Sequence, residues 1–152
     1  MLLLFVGKNG KSFCQRLIDY QYTGLSFDTM TKASAWLQQQ RQDLNIPSAI
    51  ICDLQLPDGN AFDLRRQTHL NEEFSDVIFI VVAKNFISAD KERATELGID
   101  AYFSYPPIGM VLHQSIDTIH RTKQSKKRQS PEEEHAKSFL GLLKNLVVSK
   151  RS

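Results

Sequence analysis

The sequence predicts an α/β domain: a doubly wound, five-stranded parallel sheet, with an extra C-terminal helix appended. Two patterns predict it. Short apolar runs alternate with longer segments of helical period, as in repeated βα units. The central runs, Ser48–Asp53 and Val77–Ala83, are apolar at successive positions rather than alternate ones. Such strands are buried on both faces, as in a parallel sheet covered by helices on each side.

Taken in order, Leu2–Val6 is the first strand, Gly7–Gly10 a loop and Lys11–Tyr22 a helix. Leu25–Phe27 is a weak second strand, and Thr31–Leu44 a helix with Ala33, Ala35, Trp36 and Leu37 available to its inner face. Pro47 closes that unit before the strand Ser48–Asp53. Pro57-Asp58-Gly59 is a turn, Ala61–Leu70 a helix and Val77–Ala83 the most hydrophobic strand. Ser88–Leu97 is helical and stops at Gly98, a residue suited to the left-handed position after a helix. Ala101–Ser104 is the fifth strand and Ile108–Thr122 the fifth helix.

The domain therefore spans 1–122, followed by a basic linker over 123–130. A second element begins at Ser130-Pro131-Glu132-Glu133, where Ser130 caps, Pro131 takes the first helical position and Glu133 closes a capping box. The resulting amphipathic helix, 131–149, carries Phe139, Leu140, Leu142, Leu143, Leu146 and Val147 as one apolar stripe. A helix of this length does not fold alone, so the stripe needs a covering surface.

Composition narrows the class. With 41% hydrophobic and 24% charged residues in 152, the chain is neither disordered nor fibrous. Cys14 and Cys52 are too few for a disulfide framework, which points to a reducing, cytoplasmic setting. The opening run Met1–Val6 is too short to span a bilayer and lacks the flanks of a signal peptide. Charge divides the chain: residues 1–120 hold 10 Lys/Arg against 14 Asp/Glu, and residues 121–152 hold 9 against 3. Lys123, Lys126, Lys127 and Arg128 could neutralise phosphates, but without interleaved aromatics or a DNA-binding motif a solvated linker accounts for them better than nucleic acid does.

In doubly wound sheets the functional crevice lies beyond the carboxyl ends of the strands. Here those ends are Gly7-Lys8-Asn9, Asp53, Ala83-Lys84 and Tyr105-Pro106. Tyr105-Pro106 also forms a rigid turn, open to the cis isomer. The stretch Asp53-Leu54-Gln55-Leu56-Pro57-Asp58-Gly59, together with Gly98-Ile99-Asp100-Ala101-Tyr102-Phe103-Ser104-Tyr105-Pro106 and five matched βα spacings, resembles the CheY-like receiver domain of bacterial response regulators, a flavodoxin-like fold. The resemblance covers about residues 1–122.

The resemblance implies that Asp53 stands at the position accepting a phosphoryl group from a histidine kinase. That reaction needs a divalent cation and a fixed positive group to neutralise charge growing on the phosphoryl oxygens. Mg²⁺ in turn needs carboxylate ligands in a near-octahedral shell. Where the family carries an acidic pair, this chain has Gly7-Lys8-Asn9; the family's Ser/Thr falls at Val82, and its Lys at Tyr105. Tyr102 keeps the family's switch aromatic, but Val82 has no hydroxyl to draw it in. The pattern is that of a pseudo-receiver, non-enzymatic, with neither bound metal nor other cofactor expected. Lys8 is expected to replace Mg²⁺ as counter-ion to Asp53, a pair worth about 4 kcal/mol at roughly 4 Å and an effective dielectric near 20, before desolvation.

The expected function is phosphorylation-independent signalling in a two-component or phosphorelay setting, by contact with a histidine kinase or effector. The fourth helix, fifth strand and fifth helix form the expected contact face, which the C-terminal helix extends in a homodimer. The first alternative is an atypical receiver still phosphorylated on Asp53. A nucleotide-binding reading of Gly7-Lys8-Asn9-Gly10-Lys11-Ser12 fails on spacing, because a phosphate loop needs four residues between its glycines and here there are two. A dehalogenase-like phosphatase fails because Gln55 stands where that chemistry needs a second acid. His69, His113, His120 and His135 have no metal-ligand spacing.

Overall fold

The computed structural model describes residues 1–17, 20–105, 107 and 109–128. The chain divides into two compact units, Met1–Ile119 and His120–Ser152. The first unit is built on β1 (Leu2–Val6), α1 (Gly10–Arg16), β2 (Thr23–Phe27), α2 (Met30–Asp43) and β3 (Ala49–Asp53). A short hairpin of β4 (Gln55–Leu56) and β5 (Gly59–Asn60) leads to α3 (Ala61–His69), and then come a 3₁₀ turn (Glu72–Phe74), β6 (Ile78–Ala83), α4 (Ser88–Glu96) and β7 (Ala101–Ser104). Helix α5 (Gly109–Arg128) runs on into the second unit. Of that second unit, only the helical residues to Arg128 are described; the expected helix over 131–149 lies outside the described residues.

The five long strands form one parallel sheet in the order β2-β1-β3-β6-β7. This is the predicted doubly wound α/β architecture, and side-chain alternation explains its two cores. Leu4, Val6, Ile50, Cys52, Phe79 and Val81 face α2, α3 and α4, where Ala33, Leu37, Phe62, Leu64 and Ala94 meet them. Leu3, Phe5, Ile51, Ile78, Ile80 and Val82 face the other way, onto Phe13 and Leu17 and onto Leu112 and Ile116 of α5. Both faces of the central strands are covered, hence their continuous apolar runs.

Several boundaries differ from expectation for local reasons. Helix α1 ends at Arg16, well short of Tyr22, and Gln21 adopts a left-handed backbone with φ 63°, which no helix continues. Thr23 then pairs its N–H with the Met1 carbonyl at 3.0 Å, starting β2 two residues before the apolar run. Pro57-Asp58 forms the tip of the β4–β5 hairpin, with Gln55 opposite Asn60. Helix α5 continues through Arg128, across most of the segment expected as a linker over 123–130. That segment lacks apolar period, yet Lys, Arg and Gln are good helix formers, and cations at a helix C-terminus complement its dipole.

Other ends follow the sequence signals. Gly98, φ +65°, donates to the Thr95 carbonyl at 3.2 Å while Ile99 donates to Ala94 at 2.9 Å, a Schellman closure of α4. Asn60 and Asp63 cap α3 reciprocally, Asn60 N–H to Asp63 at 3.2 Å and Asp63 N–H to Asn60 at 3.0 Å.

The hairpin tip also holds α2. Asp58 accepts from the backbone N–H groups of Met30 and Thr31, both at 2.8 Å, and from Thr31 Oγ1 at 2.6 Å. These bonds, the Thr31 hydroxyl foremost, hold the Asp58 carboxyl below the usual carboxylate range. A depressed native pKa means that the stabilisation is complete above the ordinary carboxylate value and is lost as pH falls through the lowered one. Thermal melting across mildly acidic pH should therefore show Asp58→Asn less stable at neutrality, with the gap closing towards low pH; a gap independent of pH refutes the assignment. Among the described residues, no helix is long and apolar enough to cross a membrane.

Candidate functional site

Strand order brings the candidate residues together. With β1, β3 and β6 adjacent and Asp53 registered opposite Val82, the ends of the three strands share one edge. Tyr105 joins them by donating its N–H to the Ala83 carbonyl at 2.8 Å. A cleft of about 440 Å³ opens there, lined by Asn9, Asp53, Val82 and Tyr105, all expected from the sequence. Leu54, Gln55, Ala83, Lys84, Asn85 and Asp90 complete it.

Asp53 is half-buried at the end of β3. Burial pushes its carboxyl up from the ordinary value, and the backbone amide of Lys8 pulls partly the other way. The backbone of β1 explains the close approach. Gly7 has φ +137°, a conformation only glycine adopts readily, and a Cβ there would overlap the Asp53 carboxylate. Its N–H is fixed to the Phe27 carbonyl at 2.8 Å.

That geometry corrects the expectation for Lys8. Its side chain is exposed and not among the cleft-lining groups, and it makes no ion pair with Asp53. Ion pairs form elsewhere, at Lys32–Asp28, Arg41–Glu73 and Arg66–Asp63. The Lys8 amide, not its ammonium, acts on Asp53. Sequence identifies a cation next to the strand end, but the direction of its side chain depends on the left-handed turn at Gly7.

The remaining positions have clear environments. Val82 is buried and offers only methyl groups where a hydroxyl would be needed. Tyr105 packs edge-on against Phe13, centroids 6.0 Å apart, so its ring belongs partly to the core beneath α1. Tyr102 is 42% exposed and lies outside the cleft, its ring tilted against Phe86 at 5.0 Å. Cys52 is buried, and desolvation followed by the nearby Asp53 charge holds its thiol well above the ordinary value, a packing group rather than a nucleophile.

Sequence reasoning passed over Gly7 as a conformational requirement and Gln55, Asn85 and Asp90 as cleft walls. Asp90 had a detectable signal, since it stands where a helix-opening acid caps: its Oδ2 accepts the Ile87 N–H at 3.2 Å. Gln55 and Asn85 had none. The residues present do not suit Mg²⁺. The β1 end offers no carboxylate, and no group of three His, Cys, Asp or Glu among the described residues could hold a metal ion.

No family model matches the chain, and no curated protein matches it. Solved structures do. The chemotaxis response regulator CheY4 of Vibrio cholerae is similar with a TM-score of 0.68 at 15% identity, covering 78% of this chain and 97% of that one. The receiver domain of a signal transduction histidine kinase from Syntrophus aciditrophicus gives 0.67 at 18%, covering 80% and 90%. The receiver domain of the sensor histidine kinase PA1611 from Pseudomonas aeruginosa, whose structure has a magnesium ion coordinated in its active site cleft, gives 0.67 at 20%, covering 78% and 96%. The chain has the CheY-like receiver fold.

Proposed function

We propose that the chain is a receiver-like signalling module of a two-component or phosphorelay system that acts by protein–protein contact without being phosphorylated. One observation supports this above others: the cleft retains Asp53, but Gly7-Lys8-Asn9 stands where the acidic pair would be, and Val82 and Tyr105 stand where acyl-phosphate chemistry uses a hydroxyl and a lysine. A carboxylate with no acidic pair at the β1 end cannot gather a divalent ion, and without one the charge developing on a transferring phosphoryl group is not neutralised. The module is non-enzymatic and cytoplasmic in this reading, and its partner is a histidine kinase or an effector protein.

Contact falls on the face of α4, β7 and α5, where Ile87, Tyr102 and Met110 are 63%, 42% and 58% exposed. Self-association through this face, extended by residues 131–149, belongs to the same proposal. The other reading, an atypical receiver phosphorylated on Asp53, makes the opposite prediction. Incubation with a small acyl phosphate and Mg²⁺, followed by intact-mass measurement, should show no phosphoryl adduct. A stoichiometric adduct that disappears in Asp53→Asn overturns phosphorylation independence.

A further inference from the structure

Asp53 occupies a half-buried position, and among the described residues no basic side chain is bonded to it and one, Lys84, lines its cleft. We propose that Lys84 is the internal counter-ion of Asp53: its ammonium swings across the cleft, pairs with the carboxylate and latches the loop that enters α4. Topology places it well. Asp53 ends β3 opposite Val82, and Lys84 is the first residue beyond β6, on the rim of the same cleft. Its four-carbon stem can sweep the cleft, and its compact, mobile ammonium needs no fixed fork geometry.

The rival partners are weaker. Lys8 is outside the cleft lining. Asp90, the second carboxylate of the cleft, is already engaged with the Ile87 N–H at 3.2 Å. Tyr105, which stands in the place of the family's lysine, is held edge-on to Phe13. Lys84 is exposed and makes no ion pair among the described residues, so it is free to move without breaking another contact.

The consequence is regulatory. Residues 84–87 join the end of β6 to α4, so pairing at Asp53 fixes the entry to a helix of the proposed contact face. A binding event that breaks the pair releases that entry. The latch deepens the proposed reading of this cleft, but its test is separate, since it measures an ion pair and not phosphorylation.

Residue-resolved amine labelling by reductive methylation of the full chain tests it. Pairing engages the amine and slows its reaction. Lys84 should label about threefold faster in Asp53→Asn than in the unaltered protein, a change of the size a solvent-accessible pair produces, with Lys8 and Lys11 unchanged. Asp90→Asn should leave the Lys84 rate as it was. Equal Lys84 rates in the presence and absence of the Asp53 charge overturn the proposal. So does acceleration confined to Lys8, or a Lys84 rate that responds to Asp90→Asn alone.

Discussion

Replacing Gly7 with alanine is expected to destabilise the fold by about 3 kcal/mol, combining steric overlap with backbone strain. The overlap is specific. A Cβ at position 7 would sit 2.9 Å from Asp53 Cβ and 2.5 Å from its Cγ, and closer still to Oδ2. The strain is separate, because φ +137° is disfavoured for any residue with a side chain, whatever space surrounds it. Denaturant unfolding distinguishes the two contributions. In an Asp53→Gly background the carboxylate and its Cβ are both gone, so Gly7→Ala should cost only about 1–2 kcal/mol, the strain alone. Equal costs in the two backgrounds, or an unchanged midpoint for the single variant, would contradict the close packing. Gly7→Asp should fare no better than alanine. The space a side chain at position 7 would need is occupied by Asp53.

The contrast between Gly7 and Lys8 shows what sequence could and could not supply. Strands β1, β3 and β6 were legible because burial on both faces leaves continuous apolar runs such as Phe79–Val82. Strand β2 was faint, since Thr23–Phe27 is an edge strand with partly exposed side chains and the sequence resolved only its last three residues. The β4–β5 hairpin, at two residues a strand, is too short to show a period. For the cleft, topology alone placed Asp53, Asn9, Val82 and Tyr105 together, because every parallel strand delivers its carboxyl end to the same edge. Side-chain direction was not legible. Lys8 follows a left-handed glycine, and its ammonium turns away while its amide faces Asp53. Likewise Tyr102 kept an aromatic residue at the expected position, while its outward packing on Phe86 depends on α4, which no local pattern reveals.

Arg65→Ala is expected to cost about 4 kcal/mol and Arg65→Met about half as much, because Arg65 is a buried cation with several irreplaceable duties. It is 6% exposed in the middle of α3, where a charge is otherwise rare. Its Nε donates to the Leu97 carbonyl at 3.1 Å and its Nη2 to the Gly98 carbonyl at 3.3 Å, while the guanidinium lies 5.6 Å over the Phe79 ring. Desolvation lowers its pKa, and the nearby Asp100 charge opposes that shift. A helix C-terminus concentrates unpaired carbonyls and partial negative charge, so a cation from α3 there closes α4 electrostatically and by direct bonding. Methionine keeps the stem's packing but leaves the Gly98 carbonyl without the guanidinium; Leu97 retains His69 Nε2 at 2.9 Å. Alanine loses the packing as well. The effect should be local as well as global. Amide exchange in α4 and at the start of β7 should accelerate beyond the change in overall unfolding, because Arg65 ties the α4–β7 connection to α3. A methionine variant with the original denaturation midpoint and unaltered α4 protection would show that the guanidinium's bonds are balanced by its desolvation, and that α4 is held in place by its apolar contacts alone.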